Sequence, residues 1–157
     1  MRRLLKFLHT IGSIGMMGAM ASLLVLIYIL PEPMAVADYA RMRLAMAAIS
    51  NWIFFPSLVA TLVAGLLSMA VTRVYQDAGW VLIKLATGVL VFEGGLIGIH
   101  GPMGREAALS AEALSTGVAN AKLGASIGSE WITLWVMMAV SVANVALGVW
   151  RPRFRRK

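Results

Sequence analysis

The chain is predicted to be an all-α integral membrane four-helix bundle with a helical connection on its outer side, and three observations carry that expectation. Four runs, near residues 8–30, 52–72, 80–100 and 131–150, are each long enough to cross the ~30 Å hydrocarbon core of a bilayer as a helix. Apolar residues make up 60% of the chain and charged ones only 13%, outside the range of a soluble domain. The charges also flank the runs. Arg2, Arg3 and Lys6 precede the first, Arg73 follows the second, and Arg151, Arg153, Arg155, Arg156 and Lys157 follow the fourth.

Four spans take up more than half of the 157 residues, so residues 1–157 read as one transmembrane domain. The absence of Cys excludes disulfides, thiolate metal sites, iron–sulfur clusters and cysteine catalysis. An even number of spans puts both termini on one side, which the positive-inside rule makes cytoplasmic; the opposite loops hold Arg41, Arg43, Arg105 and Lys122. The formal charge of +7 therefore points to a lipid bilayer and its anionic headgroups. Nucleic acid is not the expected partner, because no aromatic interleaving accompanies the basic residues.

Span one carries Ala19-Met20-Ala21, which resembles a signal-peptidase site, but the apolar stretch runs on through Leu23–Leu30 and reads as a retained span. Gly12, Gly15 and Gly18 in its first half allow close approach of a neighbour. Pro31-Glu32-Pro33 stops it. Residues 35–50 read as a helix that runs directly into span two, since nothing between Ala35 and Pro56 breaks it. Ser57, Thr61, Gly65 and Ser68 form a weakly polar stripe on span two, and the turn at residues 75–79 makes spans two and three antiparallel neighbours.

Lys84 and Glu93 sit on span three nine residues apart, which at ~100° per residue places them on opposite faces. Lys84 shares its face with Gly88, Gly95 and Gly98; Glu93 shares the other with Ile97 and His100. Gly101-Pro102 is expected to end the span. Residues 103–130 read as an outer connection with an amphipathic helix near 104–118, and Trp131, Trp135 and Trp150 anchor the ends of span four. The chain shows no internal repeat.

Leu5-Lys6-Phe7-Leu8-His9 opening span one, Pro56 with Gly65 in span two, and Gly79-Trp80-Val81-Leu82-Ile83-Lys84-Leu85 opening span three resemble a group of small bacterial membrane proteins. These are the HemJ-type protoporphyrinogen oxidases, the CopD-like copper-resistance domain and a related four-span family of unknown function, the last being the nearest in pattern. The resemblance covers roughly residues 3–100. It implies a multi-pass protein of the bacterial cytoplasmic (inner) membrane, with His9 as ligand of a b-type haem and Lys84 matching the lysine of the Gly-Trp-x-x-x-Lys pattern. The chain departs from HemJ in having Ser13-Ile14-Gly15-Met16 where a Trp follows the histidine, and in lacking a histidine soon after the lysine. Whether it is an enzyme, a haem-dependent oxidoreductase, is left open by those departures.

If spans one and three are neighbours, His9 and Lys84 flank one haem slot lined by Gly12, Gly88 and Gly95, with His9 as single ligand, Met16 as a second one, or a second one from another subunit. The simpler alternative is that both side chains reach the headgroups and no cofactor is bound. His100 lies about 25–30 Å from His9 along the bundle and cannot share its iron. His100 and Met103 with Met42 and Met46 form an alternative copper set, thioether plus imidazole suiting Cu(I). Glu93 reads as an interhelical clasp with Ser141 or Asn144, or as a proton relay with His100. Haem-related redox or electron transfer stands against a non-catalytic subunit or scaffold, in a homo-oligomer or a larger membrane complex.

Overall fold

The computed structural model describes residues 2–71, 79–117 and 122–150. The 75–79 turn up to Gly79, Arg73 and the basic tail 151–157 lie outside the described residues. α1 spans Arg2–Tyr28. α2, Val36–Ile49, passes through a π-helical turn at Ser50–Phe54 into α3, Phe55–Val71. α4, Gly79–Gly95, passes through a second π turn at Leu96–His100 into α5, Gly101–Thr116. With α6, Ile127–Trp150, the described residues are almost wholly helical and include four helices long and apolar enough to cross a membrane.

Two of the four are single rods of 36 residues, Val36–Val71 and Val81–Thr116. At 1.5 Å per residue each is about 54 Å long, well beyond the ~30 Å of a bilayer core. The excess is α2 and α5, which pack on each other as a helical cap above one end of the bundle. As expected, residues 35–50 run unbroken into span two. Gly101-Pro102, by contrast, does not end span three. Proline lacks an N–H and crowds the preceding turn, and here the widened π turn comes directly before it, with Gly101 N–H bonded to the Leu96 carbonyl and helical backbone at φ −62. Pro56 stands in the same relation to the first π turn, two residues after Phe54. A π turn at each proline keeps both rods continuous.

In the bundle α1 packs on α3 and α6, and α4 packs on the same two, so α1 and α4 are diagonal. The fully buried Met20, Leu23, Phe54, Ile99, Met103 and Leu134 fill the centre, while Ile14, Val25, Leu90 and Val136 are exposed on the apolar outer faces that lipid covers. α5 stops at Gly117, whose φ of 70 is open to glycine and whose N–H caps the Ala113 carbonyl at 3.0 Å.

Candidate functional site

The α1–α3 seam is built by glycines. A Cβ on Gly12 would meet Thr61 Oγ1 at 2.5 Å and the Ser57 carbonyl at 2.9 Å, and one on Gly15 would run into Ser57 Oγ. The weakly polar stripe of span two is thus the surface against which α1 is drawn. One helical turn further, His9 turns into the same seam: its Nδ1 lies 2.8 Å from the Thr61 carbonyl oxygen, and Gly65 lies beside the ring. A carbonyl only accepts, so Nδ1 carries a proton and donates it to Thr61; in the neutral ring the lone pair is then on Nε2.

Lys84 does not share this seam. Its Nζ sits where a Cβ on Gly148 of α6 would meet it at 2.9 Å. Gly95 faces Phe54 of the first π turn and Leu58 of α3, Gly88 has open space above its Cα, and Met16 is packed in the core. The slot expected between spans one and three required α1 beside α4; the chain places those helices diagonally, and His9 and Lys84 lie on opposite seams.

Glu93 also differs from expectation. Asn144 accepts a hydrogen bond from Thr87 Oγ1 at 2.7 Å, and Ser141 Oγ is buried without a hydrogen-bond partner among the described residues. Glu93 is on the exposed face of α4 and bonds to neither. The cause is the half-turn offset from Lys84: with Lys84 toward α6, Glu93 must face outward.

The cap holds a charge cluster that the sequence reading passed over. Arg43, fully buried on α2, donates from Nη1 to Glu130 Oε2 at 2.6 Å and from Nε to the Tyr39 hydroxyl at 3.0 Å. Tyr39 donates in turn to Glu106 Oε2 at 2.9 Å, and the Gly124 N–H reaches the same oxygen at 3.2 Å. Ser126 Oγ lies between the two carboxylates, 3.0 Å from Glu106 and 2.8 Å from Glu130; with one proton it donates to one at a time. Arg43 Nη2 is buried without a partner among the described residues. Arg41, two residues away, is exposed and pairs with Asp38 at 3.1 Å. The signal was present in the spacing: Tyr39, Arg43, Met46 and Ser50 recur at helical period on the buried face of α2, as Met103, Glu106 and Ser110 do on α5.

At the level of the π turns, Ser50 Oγ and His100 Nδ1 are 3.3 Å apart, and the His100 ring stacks on Phe55 at 4.7 Å. Met46 and Met103 are fully buried and Met42 packs beside them, but Met103 Sδ lies 3.9 Å from Arg43 Nη1. A guanidinium therefore stands against the thioether that Cu(I) would need. Among the described residues, no three His, Asp or Glu side chains are grouped to hold a metal ion. The chain matches no family model, no curated protein and no solved structure.

Proposed function

We propose that the chain is a multi-pass protein of the bacterial cytoplasmic membrane, with both termini cytoplasmic, that binds b-type haem through His9 for haem-related redox or electron transfer. The observation that supports this is the 2.8 Å contact from His9 Nδ1 to the Thr61 carbonyl. Metal-ligating histidines are commonly held this way, one ring nitrogen donating to a carbonyl so that the other is presented in a fixed orientation. Thr61 sets the tautomer, Gly65 leaves room beside the ring, and Lys6, one turn before His9, supplies a cation for a propionate. A bound haem would bring one-electron chemistry.

A second reading is favoured by the same contact taken with its neighbours. His9 to Thr61, Thr87 to Asn144 and the Gly12–Ser57 approach each close a seam between two helices, which is what a non-catalytic subunit or scaffold requires. The visible spectrum of protein purified from cells supplied with haem separates the two. Under the haem reading the wild type shows a Soret band, His9→Ala loses it, and His100→Ala keeps it. His9 lies at the level of Thr61 and His100 at that of Ser50, about 16 Å apart along span two at 1.5 Å per residue and too far to share an iron. A colourless wild type leaves the subunit reading.

A further inference from the structure

Glu93 sits about 18 Å along the helix from Val81 and about 10 Å from His100 at 1.5 Å per residue, well inside the span. It lies on the exposed stripe of α4 with Leu82, Ala86, Val89, Leu90 and Ile97, and no hydrogen bond or ion pair ties it to the described residues. A glutamate side chain is too short to reach a headgroup from there. An ionisable group in hydrocarbon normally faces the bundle interior or pairs with another polar group, and Glu93 does neither among the described residues. A partner for it therefore has to come from beyond these residues.

We propose that this partner is Glu93 of a second copy, and that the α4 stripe is the face of a two-fold symmetric dimer. In its acid form a carboxyl group offers one donor and one acceptor on the same edge, so two of them satisfy each other completely. A two-fold axis along the membrane normal brings each residue to the same depth as its twin, which places the two carboxyl groups opposite one another without further adjustment. The rest of the stripe is apolar, so a partner surface must be apolar with one carboxyl-satisfying group at this depth. The stripe itself has that composition. The inference does not depend on His9 or on haem.

The absence of Cys makes the test direct, because each single cysteine reports one position. Leu90→Cys and Ile97→Cys, both on the stripe and 63% and 71% exposed, are oxidised in native membranes, with Ile14→Cys on α1, 62% exposed, as the control. The expected result is a disulfide-linked dimer for the two stripe positions and none above background for the control. In the Leu90→Cys background, Glu93→Gln, whose amide also donates and accepts, retains the dimer, and Glu93→Leu lowers its yield by tenfold or more at low protein-to-lipid ratio. Equal linking at Leu90 and Ile14 overturns the proposal, as does an undiminished yield with Glu93→Leu or linkage to a different membrane protein in place of a second copy. The unsubstituted-Glu93 comparison stands even if the leucine variant fails to fold.

Discussion

Arg41 and Arg43 are two residues apart on one helix and meet opposite environments. Arg41 pairs with Asp38 in solvent, where such a bridge is worth little. Arg43 is desolvated, and its ion pair with Glu130 at 2.6 Å is the reason it can be buried at all. Removing one member leaves an uncompensated charge in the cap. Arg43→Met is therefore expected to destabilise the protein by roughly 3–5 kcal/mol, and Arg43→Met with Glu130→Gln to recover most of that loss. Arg41→Ala should change stability by less than about 0.5 kcal/mol. Thermal unfolding of the detergent-solubilised protein checks all three, and similar losses at Arg41 and Arg43 would contradict the assignment of the buried pair. The sequence distinguishes the two arginines only through phase. Counted as loop charges they are equivalent; placed on the helix they are ~200° apart.

At the scale of elements, the glycines divide into those pressed by a neighbour and those that are not. Gly12→Ala drives a Cβ into the Ser57 carbonyl, which is backbone and cannot rotate away, and is expected to cost about 1–3 kcal/mol. Gly88→Ala meets nothing within 4 Å and should stabilise α4 by up to about 1 kcal/mol through helix propensity. The same unfolding measurement reads both, and a neutral Gly12→Ala would mean that α1 and α3 are further apart than described. The four spans were legible because hydropathy is a property of contiguous residues, and the run of α2 into α3 because no breaker interrupts it. The continuity of α4 into α5 was not legible, since Gly101-Pro102 signals a stop unless a π turn precedes it. Nor could the sequence say which spans are adjacent: Gly12 and Gly95 both announce close packing, but each was free to face any neighbour, and both face span two.

At the scale of the molecule, the bundle crosses the bilayer and the cap stands beyond it on the side away from the N-terminus. Single cysteines at Arg2 and Ser115, both exposed, should react with a membrane-impermeant maleimide from opposite sides of an intact cell. Labelling of Ser115→Cys alone from outside is the expected outcome, and labelling of Arg2→Cys alone would invert the proposed orientation. The buried cap pair has a further consequence, in time instead of space. Arg43 precedes Glu130 by 87 residues, so at a synthesis rate of about 5–20 residues per second the guanidinium waits roughly 4–17 s for its nearer counter-charge, with only Glu106, 4.0 Å from Nε, arriving earlier. Throughout that interval the α2–α5 cap has no closed interior, and only arrival of the last span completes it. A nascent chain interrupted before Ile127 would keep Glu106 within 4.0 Å of Arg43 but would leave Nη1 without the Glu130 carboxylate to which it donates. The final helix thus acts as a completion check, and chains truncated before it should be cleared from the membrane faster than chains truncated after Trp150, as a pulse–chase comparison would reveal.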